Sequence, residues 1–165
     1  MADHPHPHPS VGHVHLKVSD LDRSIAFYER LGFDVQLRIG DEAAFLGAAG
    51  YHHHVGLNTW ESAGATPPPK GHTGLYHSAF LYPDRAALAR VVRRVLDAGL
   101  SLDGAADHIV SEAVYLSDPD GNGVELYADR NGVTWPRDRF GNITAVNRPL
   151  DLRALLALAE PDATA

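Results

Sequence analysis

The sequence predicts an α+β protein in which one βαβββ module occurs twice. Residues 12–18 alternate between apolar and polar side chains, which is the pattern of a half-buried strand. An apolar stripe with helical spacing follows in residues 21–31, and Gly32 ends it. The same order of elements begins again at residue 75, after a linker in residues 63–74 that contains three consecutive prolines.

The first module combines one helix with four strands. In its first strand, Val14 and Leu16 lie on one face, so His13 lies on the other. Ser19-Asp20 precedes the helix and offers a candidate N-cap. Three further strands are predicted, at residues 33–39, 43–47 and 51–60.

The second module has the same elements. We predict a strand at residues 75–81 and a helix at 84–98, followed by strands near residues 100–103, 113–117 and 123–128. The last two strands flank Asp118-Pro119-Asp120-Gly121, a turn in which proline sets φ and glycine tolerates the tight return. Neither half, at about 50 residues, buries enough apolar surface to be stable alone. We therefore expect one domain whose two sheets face a shared cleft.

Composition and charge exclude several classes of function. The chain has 165 residues, of which 44% are apolar and 21% charged, as in a globular domain. A net charge of −7 without a basic run argues against a nucleic-acid surface. No apolar run is long enough to span a membrane, and nothing resembles a signal peptide, so we expect a cytoplasmic protein. The absence of cysteine excludes disulfides and thiolate metal sites.

Both ends of the chain differ from the modules. Alternating histidine and proline predict a disordered tail in residues 1–10. Residues 11–130 then form the domain, with modules at 11–60 and 74–128, and residues 131–165 form a C-terminal extension. Leucines between residues 150 and 158 predict a short helix that packs on the domain or on a second subunit, so a homodimer is one expectation.

Two histidines and a glutamate occupy related places in the modules. His13 and His77 lie in the first strand of each module, and Glu125 lies in the last strand of the second. Because side chains alternate along a strand, His13 and Glu125 point away from the apolar faces and into the cleft. Two neutral imidazoles and one carboxylate form a facial ligand set suited to Fe(II), with positions open for substrate and O₂. Mn(II) accepts the same ligands.

These residues resemble a known family. One group is similar to the opening of a vicinal-oxygen-chelate domain, the superfamily of glyoxalases, bleomycin resistance proteins and extradiol dioxygenases: Gly12-His13, Val18-Ser19-Asp20 and Phe27-Tyr28. Another is similar to the extradiol ring-cleavage signature: His108, Val114-Tyr115, Asp118-Pro119-x-Gly121 and Glu125. Residues 52–60 and 74–77 resemble catechol-2,3-dioxygenase-type members, whereas Ala106 departs from the signature. The resemblance covers residues 11–128.

The resemblance implies an extradiol dioxygenase that opens a small catechol-type diol with O₂. It makes the three residues of the facial set the iron ligands. It makes His54 the acid–base histidine, and strand parity favours His54 over His53 as the residue that faces the cleft. It also implies that Tyr115 and His108 contact a substrate oxygen.

Three alternatives stay open. A glyoxalase-type lyase or isomerase usually has a second glutamate in the last strand of the first module, but residues 52–60 contain no carboxylate and Glu61 lies beyond them. A non-catalytic protein that binds an antibiotic or another small molecule would not need the metal ligands. A third alternative is an inactive copy of one half of a larger dioxygenase.

Overall fold

The computed structural model describes residues 10–159, and these residues divide into two compact units between Thr66 and Pro67. The division falls inside the linker predicted at residues 63–74. Of the tail predicted at residues 1–10, only Ser10 belongs to the described part of the chain.

Unit 1 has the predicted βαβββ order: β1 (Val14–Lys17), α1 (Leu21–Arg30), β2 (Asp34–Ile39), β3 (Ala43–Gly47) and β4 (Val55–Asn58). Its strands form one sheet in the order β1-β4-β3-β2, with β1 parallel to β4. Asp20 is the N-cap of α1, as predicted, because its side chain accepts a hydrogen bond from the backbone N–H of Arg23 at 2.9 Å.

The core of unit 1 lies between α1 and one face of this sheet. Ile25 and Tyr28 on the helix are buried together with Leu46 and Leu57 on the strands. The apolar stripe of the helix and Leu16 of β1 are therefore buried as their patterns predicted, whereas β2 is exposed along its whole length. The bounds of β2 and β3 agree with the prediction within one residue, but β1 begins at residue 14 and not at 12, and β4 covers only residues 55–58 of the predicted 51–60.

Unit 2 repeats the order and extends it: β5 (His77–Leu81), α2 (Arg85–Asp97), β6 (Gly104–Asp107), β7 (Ser111–Ser117), β8 (Gly123–Asp129), β9 (Arg148–Pro149) and α3 (Leu152–Leu156). The sheet order is β5-β8-β7-β6-β9, and β5 runs parallel to β8. The α+β class with two βαβββ modules is thus confirmed.

Strand β6 lies four residues later than predicted. The leucines at 100 and 102 suggested a strand, but the N–H of Leu100 donates to the carbonyl of Val95 at the end of α2, at 3.1 Å. The chain is therefore still leaving the helix there. The strand forms instead from the small residues 104–107, which lie between β7 and β9.

The C-terminal extension belongs to unit 2. Its strand β9 pairs with the edge of β6, and the predicted helix α3 packs against α2 of the same chain. Leu155 on α3 has no exposed surface. Within residues 10–159, no helix has the length and apolar character needed to cross a bilayer.

Candidate metal centre and substrate cavity

Three neighbouring strands of unit 2 carry the predicted functional side chains. His77 begins β5, Tyr115 lies in β7 and Glu125 lies in β8. Tyr115 pairs directly with Glu125 in the antiparallel ladder, and His77 pairs with Gly123, two residues before Glu125. Glu125 therefore lies between the other two strands.

The predicted Asp118 turn establishes this register. Asp118 is buried, and its Oδ1 accepts hydrogen bonds from the backbone N–H groups of Asp120 and Asn122 at 2.9 and 2.8 Å. Gly121 has a φ of +80°, which glycine adopts without strain. A turn closed in this way fixes which residues of β7 and β8 face each other.

These three side chains and His108 form a continuous line of polar contacts. His77 Nε2 lies 2.9 Å from Glu125 Oε2, and the hydroxyl of Tyr115 donates to Glu125 Oε1 at 3.3 Å. His108 Nε2 lies 2.7 Å from the same hydroxyl. The side chains of His77 and Glu125 are 31% and 14% exposed, so an ion or ligand can reach both.

The tyrosine in this line keeps its proton at neutral pH. Burial, followed by the charge of Glu125 and the hydrogen bond to it, raises the pKa of Tyr115 to about 12. Tyr115 is therefore a hydrogen-bond donor over the whole physiological range.

A cavity of about 450 Å³ opens beside these strands. His77 and Tyr115 line it, together with Tyr76, Asp103 and Asn147. Its volume is within the range of small-molecule sites, and Asn147 shows that the C-terminal extension contributes to the wall.

In unit 1, a group of histidines surrounds the remaining predicted ligand. His13 is exposed, and its ring centroid lies 4.5 Å from that of His53. The Nδ1 atoms of His52 and His53 are 2.6 Å apart. Burial, and then the charge of His13 and other neighbouring histidines, lowers the pKa of His53, which favours the neutral imidazole.

His54 lies in a different environment, so the orientation expected from strand parity is wrong. Its Nδ1 accepts a hydrogen bond from the N–H of Ala48 at 3.3 Å, and its ring packs near Phe33 and Tyr51 with centroid distances of 5.9 and 4.7 Å. The reason is that β4 begins only after His54, so regular alternation cannot be extended back to it. Sequence reasoning therefore missed His53 as the neighbour of His13. The role of His54 stays a prediction.

The structure brings two of the three predicted ligands together. His77 and Glu125 are in contact, whereas His13 belongs to the other unit. Residues 10–159 contain no group of three or more His, Cys, Asp or Glu side chains placed to hold a metal ion. The contacting pair itself suits a divalent metal, because one imidazole nitrogen and one carboxylate oxygen are adjacent and partly exposed.

Sequence reasoning also missed an ion-pair network beside His108. Glu112, which is 5% exposed, accepts hydrogen bonds from Arg85 Nε at 2.6 Å and from Arg130 Nη2 at 2.8 Å. Arg130 Nη2 also donates to Asp107 Oδ2 at 2.9 Å. The contacting pairs are separated by 18 to 27 positions with no recognisable spacing, so no sequence pattern marks them.

Two βαβββ modules in one chain are the fold of the vicinal-oxygen-chelate class of proteins. The chain belongs to the Glyoxalase/Bleomycin resistance protein/Dioxygenase superfamily, whose family model matches residues 10–126.

Individual relatives agree with this assignment. The chain is 43% identical over 152 residues to "Catechol-2,3-dioxygenase" of Bacillus subtilis (strain 168), covering 92% of this chain but 52% of that protein. It is 30% identical over 122 residues to "Biphenyl-2,3-diol 1,2-dioxygenase 3" of Rhodococcus globerulus, with 73% and 64% covered. The crystal structure of a glyoxylase/bleomycin resistance protein/dioxygenase domain from Frankia sp. EAN1pec aligns with a TM-score of 0.63 and 25% identity, covering 75% of this chain and 94% of that one. The chain thus spans about half the length of the Bacillus protein.

Proposed function

We propose that this protein is a metal-dependent extradiol dioxygenase that opens the ring of a catechol-type diol with O₂. The observation that carries the proposal is the line of contacts from His77 through Glu125 and Tyr115 to His108, beside a cavity of about 450 Å³. The names of the Bacillus and Rhodococcus relatives support the same reaction class.

The proposed ligands are His13, His77 and Glu125. Fe(II) is the expected metal and Mn(II) the alternative, since both accept two imidazoles and one carboxylate. When bound, the metal would lower the pKa of the diol hydroxyls and supply open positions for O₂.

The remaining residues would bind and move protons. Tyr115, which stays protonated, would donate a hydrogen bond to a ring oxygen, and His108 would hold the tyrosine hydroxyl in place. For the acid–base histidine, the sequence favours His54, whereas the position beside His13 favours His53. Burial, followed by the charge of neighbouring histidines, lowers the pKa of both imidazoles, which favours the neutral form that can accept a proton.

Metal analysis and anaerobic loading with Fe(II), followed by catechol and O₂, test the proposal. We expect a yellow ring-fission product and stoichiometric O₂ consumption, both lost in Glu125→Gln. The control is Glu61→Gln, since this side chain is 77% exposed and forms a surface ion pair with Lys17 at 3.4 Å. Isomerisation of a thiol hemiacetal with Ni(II) or Zn(II), or tight binding of catechol without turnover, would overturn the proposal in favour of a lyase or a binding protein.

A further inference from the structure

The turn that carries His108 has a strained backbone. The N–H of His108 donates to the carbonyl of Ser111 at 2.9 Å, which leaves Ile109 and Val110 as the two residues at the tip of the β6–β7 hairpin. Ile109 has a φ of +70°. Glycine is the usual residue at such a position, and for a β-branched side chain a positive φ is a genuine outlier. Such conformations persist only where the surroundings enforce them.

Arg130 holds this turn from both sides. Its backbone N–H donates to the carbonyl of Val110 at 2.8 Å, and its guanidinium binds Asp107 Oδ2 at 2.9 Å. Asp107 Oδ1 in turn accepts the N–H of Ile109 at 2.8 Å. Arg130 therefore contacts residues both before and after the strained Ile109. Its guanidinium binds Asp107, and its backbone N–H binds Val110.

A buried carboxylate orients that arginine. Glu112 is 5% exposed. Its Oε1 accepts a hydrogen bond from Arg130, and its Oε2 accepts one from Arg85. A carboxylate removed from water needs such partners, so Glu112 keeps the Arg130 guanidinium in one place. The hydrogen bond to Glu112 and the charge of Asp107 raise the pKa of Arg130 further above its ordinary value, despite burial.

His108 follows Asp107 directly, so the conformation of the turn determines where its imidazole lies. Its Nε2 reaches the Tyr115 hydroxyl at 2.7 Å, the length of a strong hydrogen bond. We propose that Arg130 and Asp107 are positioning residues that hold the strained β6–β7 turn and thereby keep His108 on the Tyr115 hydroxyl. The catalytic part of this proposal rests on the proposed function, in which Tyr115 contacts the substrate.

The chain offers a matched pair of variants for the test. Arg130 and Arg85 are 39% and 42% exposed, and both bind Glu112, but only Arg130 also contacts the turn. Arg130→Gln should therefore release His108, whereas Arg85→Gln should remove an ion pair and leave the turn intact. Asp107→Asn is a milder variant. Its side-chain oxygen can still accept from the N–H of Ile109, but its NH₂ group cannot accept the hydrogen bond from Arg130.

The first readout is the long-range ¹H–¹⁵N NMR spectrum of the histidine imidazoles in the full chain, with Tyr115→Phe marking the signal of His108 without its partner. We expect Arg130→Gln and Asp107→Asn to move the His108 signal toward that position, and Arg85→Gln to leave it unchanged. The second readout is turnover by the iron-loaded protein. We expect kcat to fall about tenfold in Arg130→Gln with KM within about twofold, since small displacements of a reacting group reduce rates strongly.

The outcomes separate this proposal from the proposed function. An unchanged His108 signal in Arg130→Gln, or equal shifts in Arg130→Gln and Arg85→Gln, would overturn the positioning role. If the wild type shows no ring cleavage but the selective NMR shift occurs, the positioning role stands and the proposed function fails. If Arg130→Gln does not fold, the same comparison is made with Asp107→Asn.

Discussion

The hydroxyl of Tyr115 has one proton and two polar neighbours, so it cannot donate to both. It donates to Glu125 Oε1 at 3.3 Å. The tyrosine oxygen can then accept from His108 when this imidazole, 2.7 Å away, carries its proton on Nε2. In that tautomer His108 acts on the site through Tyr115, because it leaves the tyrosine proton free for Glu125 or, in the proposed reaction, for a ring oxygen of the diol.

Replacing Tyr115 by phenylalanine separates this role from packing. We expect Tyr115→Phe to lower kcat of the iron-loaded protein about 10²-fold, because a positioned proton donor contributes at least that much. The free energy of unfolding should fall by only about 1 kcal/mol, the usual value of a lost hydrogen bond. Steady-state O₂ uptake and urea unfolding measure the two effects.

Tyr127→Phe is the control for this prediction. Tyr127 lies on β8 two residues after Glu125, and burial raises its pKa as well, but the line of contacts from His77 to His108 runs through Tyr115 and not through Tyr127. An equal loss of kcat in both variants would mean that the tyrosine hydroxyl at 115 has no special function.

The adjacent histidines of unit 1 offer a second prediction. His53→Gln should lower kcat at least about 10-fold, since His53 lies beside His13 and its lowered pKa favours the neutral imidazole, the form that can accept a proton. His54→Gln should instead lower the free energy of unfolding by about 1 kcal/mol, because Nδ1 of His54 accepts from Ala48. Kinetics and thermal unfolding of both variants test which histidine transfers the proton. A larger loss of kcat in His54→Gln than in His53→Gln would restore His54 as the acid–base histidine.

How far the site could be predicted depends on where each residue lies in its element. His77, Tyr115 and Glu125 lie in regular strands, as predicted, and the resemblance to the extradiol signature singled out Tyr115. The pairing that makes their strands neighbours is long-range and has no local pattern. His53 and His54 precede β4, where alternation carries no information. The contacts of Arg130 depend on tertiary packing and have no local pattern.

At the scale of elements, the close approach of β5 and β8 requires a glycine. Gly123 pairs with His77, and a Cβ at this position would overlap the carbonyl oxygen of Tyr76. Since the clash involves backbone, it can be relieved only if the strands move apart. The separation of these two strands, in turn, determines the distance between His77 and Glu125.

We therefore expect Gly123→Ala to weaken both the fold and metal binding. Overpacking of this kind costs about 1–3 kcal/mol, and displacement of His77 should lower the affinity for Mn(II) about tenfold or more. Gly104→Ala is the matched control, because a Cβ at this strand glycine meets only the ring of Tyr115 at 3.9 Å, an ordinary contact. Urea unfolding and calorimetric titration with Mn(II) measure both effects, and equal losses in the two variants would contradict the explanation.

The helices and strands were mostly predictable from the sequence, and the displacement of β6 from its predicted position has a physical cause. Both helices of the modules show a clear 3.6-residue stripe and begin at an aspartate N-cap, so their bounds agree with the prediction within about two residues. Strand β6 consists of glycine, alanines and Asp107, which have little intrinsic preference for strands. Its position is determined by pairing with β7 and β9, and such long-range pairing is absent from local sequence.

At the scale of the whole molecule, the C-terminal extension is part of the second unit. The superfamily match ends at residue 126, yet β9 covers the edge of β6 and α3 packs against α2. Asn147 of the extension also lines the cavity. Residues outside the region that matches the superfamily model thus extend the sheet of unit 2, pack against its helix and line its cavity.

Substitution of Leu155 tests how much the C-terminal extension contributes to the free energy of unfolding. Its side chain has no exposed surface, so Leu155→Ala should lower the free energy of unfolding by about 2–4 kcal/mol through lost burial and the cavity left behind. Leu158, two residues after α3, is 39% exposed, and Leu158→Ala should change the same quantity by less than about 0.5 kcal/mol. Urea unfolding followed by circular dichroism compares the two. Equal and small effects would mean that α3 is only loosely attached in solution, whereas the expected difference would show that residues beyond the superfamily match stabilise the unit that holds His77 and Glu125.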